Sequence, residues 1–211
     1  MASHRARRRV PPTTIRRLSA YFRVLSEQER QNAAAISSER LSELTGFTAA
    51  QVRRDLAYFG SFGKRGVGYA VTTLRGQLAS ILGIDRRWRV GLVGVGNLGK
   101  ALLFYRGFAD QGFEFVAAFD IDPTKIGTTL GSLEVQPIAN LAASAPGDRV
   151  DIVLVAVPAD AAQSVVDGAV AAGVRAILNF APVQLRVPPE VRLSNVDLSM
   201  EIEYLTYSLT T

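Results

Sequence analysis

Arg89-Val-Gly-Leu-Val-Gly-Val-Gly-Asn-Leu-Gly99 decides the fold, because an apolar strand pattern runs straight into Gly94-x-Gly96-x-x-Gly99 and then into an apolar helix pattern. Glycines at that spacing have separate tasks. The first permits the tight turn, the second lets backbone approach a pyrophosphate, and the third lets helix pack close on strand, with phosphates at the helix N-terminus. A second strand pattern, Glu114 to Phe119, ends in Asp120, about 20 residues past the last glycine, where an acid can hold ribose hydroxyls. Such an acid repels a 2′-phosphate, so the pattern predicts NAD(H) rather than NADP(H). Further on, Val150 to Val157 is nearly continuously apolar, as a central parallel strand covered on both faces requires, and Pro158 ends it. Ligands of such sheets bind beyond the carboxyl ends of the strands, which puts Val157, Pro158 and the segment Asn179-Phe180-Ala181-Pro182 beside the nicotinamide.

Charge divides the chain as sharply as motif does. Residues 1–89 hold 17 Lys+Arg against 6 Asp+Glu, a net of +11, while residues 90–211 hold 7 against 13, a net of −6. That asymmetry points to a polyanionic partner for the first half. A length of 211 residues suggests two modest domains. The chain has no cysteine and a single histidine, His4, which argues against disulfides, Cys-ligated zinc, a Ser-His-Asp triad or a histidine general base. No apolar run approaches the ~20 residues that span a bilayer. No apolar segment follows the basic N-terminus, so the expectation is a cytoplasmic protein without a signal peptide.

Within the basic half, Thr13 to Gln28 places Ile15, Leu18, Tyr21, Phe22 and Leu25 at helical spacing. A short helix over Ser37–Thr45 follows, then a turn at Gly46. A third helix starts at the capping-box spacing of Thr48 and Gln51 and runs to Phe59. Helix, turn and helix in so short a span match a helix-turn-helix whose second helix enters the major groove. On that helix Val52, Leu56 and Phe59 share the core face, leaving Gln51, Arg53, Arg54, Asp55 and Tyr58 available to DNA. Gly60 to Tyr69 then reads as a β-hairpin wing with Lys64 and Arg65 at its tip.

The runs Gln51 to Tyr69, Gly94 to Gly99 and Phe119-Asp-Ile-Asp-Pro-Thr-Lys-Ile-Gly127, with Val157-Pro158, Asn179 to Pro182 and Asn195-Val-Asp197, resemble the redox-sensing transcriptional repressors of the Rex family. The resemblance covers the chain from about Pro12. Before it, the arginines ahead of Pro11-Pro12 read as a disordered basic tail over 1–11. The resemblance implies an α/β protein with a winged helix-turn-helix domain over 12–83, a Rossmann-like parallel-sheet domain over 84–196, and over 197–211 a C-terminal helix exchanged between the subunits of a homodimer. It also implies that NADH binding closes the dimer and releases inverted-repeat operator DNA, which NAD+ leaves occupied. NADH and NAD+ would be regulatory ligands, with no catalysis and no metal. On this reading Gly94, Val95, Gly96, Asn97, Leu98, Gly99 and Asp120 hold the nucleotide with the nicotinamide-side residues above. DNA contacts fall to Arg16, Arg17, Thr48, Gln51, Arg53, Arg54, Tyr58, Lys64, Arg65 and Gly66. Tyr105, on the cradle helix, and Asp197 with Leu198, opening the last helix, join across the dimer in a contact that differs between redox states.

The apolar residues of the last segment, Leu198, Met200, Ile202, Leu205 and Leu209, need something to bury against, and a partner subunit supplies it. Three alternatives remain open at this stage: a small NAD-dependent oxidoreductase with a regulatory domain, a CoA- or nucleotide-binding regulatory protein, and a DNA-architectural protein with a vestigial cradle.

Overall fold

The computed structural model describes residues 10–60, 62–63, 67–144 and 150–210, and the chain divides between Arg86 and Arg87 into two compact units. The first contains α1 (Pro12–Arg30), β1 (Ala35–Ile36), α2 (Ser38–Thr45), α3 (Ala49–Ala57), β2 (Tyr69–Ala70) and α4 (Val71–Leu82). Proline in the first turn suits α1, since its missing N–H would have no partner there. Ser37 caps α2 by accepting from the Arg40 N–H at 3.0 Å, and Gly46 ends it in the left-handed region at φ 75°. Leu18, Tyr21, Leu25, Leu41, Val52 and Leu56 face one core, and α4 adds Val71, Leu74 and Leu78 to it. The spacing of those last three is itself helical.

Several expectations for this unit need correction. β2 pairs antiparallel with β1, Ile36 opposite Tyr69, and the tip of the expected hairpin lies outside the described residues. The pairing demands glycine at Gly68: φ is 89°, and a Cβ there would stand 2.6 Å from the Ile36 carbonyl oxygen. Lys64, Arg65, Gly66 and the basic tail through Arg9 lie outside the described residues. α3 ends at Ala57, not Phe59, although Phe59 still packs on the core. The capping box is half made. Thr48 Oγ1 accepts from the Gln51 N–H at 3.2 Å, but the Gln51 side chain turns to Asp55 instead.

The second unit is a sheet of β3 (Trp88–Val93), β4 (Phe113–Asp120), β5 (Thr129–Leu130), β6 (Leu133–Pro137), β7 (Ile152–Val155), β8 (Ala176–Asn179) and β9 (Arg192–Asn195). Their spatial order is β5-β6-β4-β3-β7-β8-β9, parallel throughout except for the β5–β6 hairpin at one edge. Numbered along the chain, the six parallel strands run 3-2-1-4-5-6, the doubly wound order. The order reverses between β3 and β7. α5 (Asn97–Leu103), α6 (Arg106–Ala109), a 3-10 turn at Ile138–Asn140, α7 (Leu141–Ser144) and α8 (Ala159–Ala171) connect the strands, and α9 (Leu198–Thr210) follows the last. β7 occupies only the middle of the predicted run, Ile152 to Val155, with Val153, Leu154 and Val155 buried. By contrast, no residue of α9 is buried.

Candidate nucleotide cradle and nucleic-acid interface

At the reversal between β3 and β7, the three glycines of the motif stand in different surroundings. Gly94 follows β3 with φ 96°, and a Cβ on it would come 2.4 Å from the Ala156 carbonyl oxygen and 2.8 Å from the Val157 side chain. A Cβ on Gly99 would lie 1.9 Å from the Gly94 carbonyl oxygen, so only glycine lets α5 sit on its strand. At Gly96 φ is −72°, an ordinary value, and a Cβ would meet no protein atom within 4 Å. Nothing in the chain requires glycine there; a ligand approaching the backbone would. The first bond within α5 runs from the Lys100 N–H to the Gly96 carbonyl at 2.9 Å, which leaves the amides of the opening turn without intrahelical acceptors. Oriented amides beside open backbone are the chemistry that receives a pyrophosphate. Asn97 and Leu98 are exposed on that turn, whereas the Val95 side chain is core.

Asp120, only 6% exposed at the end of β4, holds the loop from the neighbouring strand. Its Oδ2 accepts from the Val95 N–H at 2.8 Å and from Lys125 Nζ at 3.3 Å, and its Oδ1 from the Asp122 N–H at 2.9 Å. Burial pushes the carboxyl up, but the Asp122 and Val95 amides and the Lys125 ammonium outweigh it, and its pKa lies below the usual aspartate value. Lys125 also reaches Asp122 at 3.4 Å, and the Asp120 hydrogen bond and charge raise its own pKa. Sequence reading missed this lysine, although the spacing Asp120-x-Asp122-x-x-Lys125 was visible.

At the positions expected to line the nicotinamide, Val157 lies against Gly94, Pro158 stands at the N-cap of α8, and the Phe180 N–H donates to the Val155 carbonyl at 2.9 Å. Pro182 is exposed and Ala181 buried. Asn179 requires correction as a ligand-contacting side chain. It is fully buried, its Nδ2 donates to the Ala181 carbonyl at 2.9 Å and Asn195 Oδ1 at 3.0 Å, and its Oδ1 accepts from the Ala181 N–H at 2.9 Å. It clamps the turn that presents Phe180. Tyr105 is also relocated: α5 stops at Leu103, and Tyr105 stands at the N-cap of α6, 61% exposed, with its ring edge on Phe108 at 5.3 Å. Asp197 caps α9 through the Ser199 N–H at 3.0 Å and Ser199 Oγ at 2.5 Å, contacts that lower its pKa. Leu198 beside it is exposed.

In the first unit, α3 presents Arg54 to solvent with Tyr58 exposed at its C-cap, and Arg16 on α1 and Thr48 at the α3 N-cap are exposed as well. Arg53 is partly engaged, donating to Ser38 Oγ at 2.8 Å and Glu39 Oε1 at 2.9 Å. Asp55 and Arg17 overturn their assignments to the DNA face. Asp55 is completely buried and takes Arg17 Nε at 2.6 Å and Nη2 at 2.8 Å, the Tyr21 hydroxyl at 2.9 Å, Thr14 Oγ1 at 3.3 Å and Gln51 Nε2 at 2.9 Å. A buried carboxylate so placed must be paired, and it draws Arg17, 19% exposed, inward. Burial raises the Asp55 carboxyl, but the Arg17, Gln51 and Tyr21 hydrogen bonds leave it below the usual value. Tyr21, desolvated and bonded to that anion, is pushed well up. Among the described residues no group of three or more His, Cys, Asp or Glu could hold a metal, and no helix is long and apolar enough to cross a membrane.

Known proteins match both units. The family model described as "Putative DNA-binding protein N-terminus" matches residues 9–57, and that described as "CoA binding domain" matches residues 85–183. The redox-sensing transcriptional repressor Rex of Desulfitobacterium hafniense is 49% identical over 203 residues, covering 96% of this chain and 97% of that protein. Its counterpart in Thermus thermophilus is 46% identical over 201 residues, covering 95% and 94%. The crystal structure of RSP in complex with beta-NAD+ and operator DNA superimposes with a TM-score of 0.91 at 40% identity, covering 95% of this chain and 92% of the other. RSP in complex with beta-NADH gives 0.87 at 38% identity, covering 95% and 94%. With a glycine cradle at the sheet reversal, a capped helix pair before it, and such identity along almost the whole chain, this protein belongs to the Rex family of redox-sensing transcriptional repressors.

Proposed function

We propose that this chain is a homodimeric, cytoplasmic repressor that reads the NADH/NAD+ balance in its second unit and reports it as operator affinity in its first. The observation that carries the reading is Gly96, where the protein itself places nothing against an open stretch of backbone flanked by donor amides. The relatives' own ligands, a nicotinamide dinucleotide and operator DNA, supply the identities.

The residues divide the work. The amides opening α5 face the pyrophosphate, Asp120 offers its remaining acceptor capacity to a ribose, and Val157, Pro158, Phe180 and Pro182 shape the nicotinamide end. Asp120 also opposes a 3′- or 2′-phosphorylated ribose, which disfavours CoA and NADP(H). The two redox forms differ by a hydride, one charge and ring planarity. Apolar side chains around the ring disfavour the cationic form, because its desolvation is not repaid. Tyr105 and the α9 segment led by Asp197 and Leu198 carry the difference across the dimer. The exposed apolar face of α9 suits exchange with a second copy, since thirteen residues with none buried lack the packing that stabilises most helices.

Rotation of the two DNA-reading helices out of register with half-sites about one turn apart lowers operator affinity. Linkage makes the effect reciprocal: operator DNA weakens NADH binding by the factor by which NADH weakens DNA binding. The test is fluorescence anisotropy of labelled upstream DNA at fixed salt, without nucleotide, with NAD+ and with NADH. Tight binding that NADH abolishes and NAD+ preserves is expected; equal affinity in all three would overturn the reading.

A further inference from the structure

The donors gathered on Asp55 constrain how α3 meets a base pair. Its Oδ1 accepts from Thr14 Oγ1, Arg17 Nη2 and Gln51 Nε2, and its Oδ2 from Arg17 Nε and the Tyr21 hydroxyl. Five donors converge on a group with about four lone-pair sites. A carboxylate in that state only accepts, so the Gln51 amide must turn its nitrogen inward; turned the other way, oxygen would face oxygen in a buried setting. Among the described residues no group donates to Gln51 Oε1. Gln51 is half-buried and is the third residue of α3, the end of a recognition helix that reaches base edges.

We propose that Asp55 is a positioning residue for sequence recognition: by holding the Gln51 amide nitrogen, it makes Gln51 present a carbonyl oxygen that selects a base with an exocyclic amino group in the major groove. Adenine N6 and cytosine N4 are donors there, whereas guanine O6 and thymine O4 are acceptors that the oxygen repels. The polarity of this contact is therefore set from α1, through Arg17, Tyr21 and Thr14, on an element that need not touch the base. This inference rests on α3 lying in the major groove, as the proposed function holds.

Duplexes enriched by this protein from a random-sequence library in the presence of NAD+ provide the probe. They are remade with adenine replaced by purine, or cytosine by 2-pyrimidinone, one position at a time, so that only the amino group is lost. One position in each half-site should then lose about tenfold in affinity for the wild type and nothing further for Gln51→Ala. Asp55→Asn frees the amide, because an asparagine can face Gln51 with either atom. At that position alone the variant should accept guanine or thymine to within about threefold of the preferred base.

Equal losses in wild type and Gln51→Ala at every position overturn the proposal. So does an Asp55→Asn protein that weakens evenly with its base preferences intact, the behaviour of a merely structural aspartate. Should Asp55→Asn fail to fold, the comparison with Gln51→Ala decides alone. Failure to enrich any duplex defeats the DNA-binding reading and this inference together, whereas enrichment without a Gln51-dependent amino group defeats this inference only.

Discussion

Asp55 and Asp120 are both buried aspartates with lowered pKa values, one in each unit, and they are held in different ways. Asp55 is surrounded by side chains, four of the five bonds coming from α1, 34 to 41 residues away in sequence. Asp120 is held mainly by backbone: the Val95 amide of the glycine loop and the Asp122 amide of its own turn, with Lys125 alone contributing a side chain. A carboxylate tied to side chains fixes the orientation of those side chains. A carboxylate tied to main chain fixes a loop, and its position follows from the fold of that loop.

The contrast is broken most severely at Asp55. Asp55→Ala leaves a guanidinium, a phenol and an amide without their acceptor, and removing one partner of a buried pair costs about 3 kcal/mol or more. Urea unfolding followed by circular dichroism should show that loss, with NADH affinity in the surviving folded protein unchanged. The two aspartates also set an acid limb. Both folded pKa values lie below the unfolded value of about 4, so their contribution is complete above about pH 4 and disappears as pH falls through the folded values. The urea midpoint of Asp55→Asn should therefore fall less than that of wild type between about pH 5 and pH 2. An equal fall would mean that Asp55 is not the carboxyl being titrated.

Asp120→Ala should act the other way round. It removes the acceptor for the Val95 amide and, on the proposed function, for a ribose, and NADH affinity should drop by about ten- to a hundredfold, measured by calorimetry, while operator affinity without nucleotide stays within about twofold. Gly96→Ala sharpens the point, because the protein has room for a methyl group where a pyrophosphate does not. Its melting temperature should match wild type with NADH affinity about tenfold lower; unchanged affinity would place the dinucleotide elsewhere. The smallest effect is expected at Arg54, exposed on α3. Arg54→Ala should weaken operator binding by about 1 kcal/mol or somewhat more and leave the NADH titration as it was.

Much of the second unit was legible because its constraints are local. Gly94, Gly96, Gly99 and Asp120 lie within one strand-turn-helix-strand passage; Gly94 and Gly99 are dictated by the approach of neighbouring backbone, and Asp120 by the loop amides it accepts from. The apolar runs of β3, β4 and β7 likewise reflect burial on both faces of a parallel sheet. What failed there was boundary and pairing: Tyr105 fell beyond the end of α5, and the Asn179 amide proved to be engaged by Ala181 and Asn195, two facts decided by how the chain turns after the strands.

In the first unit the sequence by its local pattern marked α1, α2 and the start of α3, since Ser37, Gly46 and Thr48 act on their immediate neighbours, and it carried the basic charge that any polyanion would meet. The tertiary structure alone decided which charges remain available. Arg17 and Arg54 are the same residue type in two basic helices; burial of Asp55 turns one inward and leaves the other in water. Helical periodicity cannot foresee this, because whether an acid faces solvent or an opposing arginine depends on a helix packed against it from more than thirty residues away, and a buried charge takes the partner that packing brings to it.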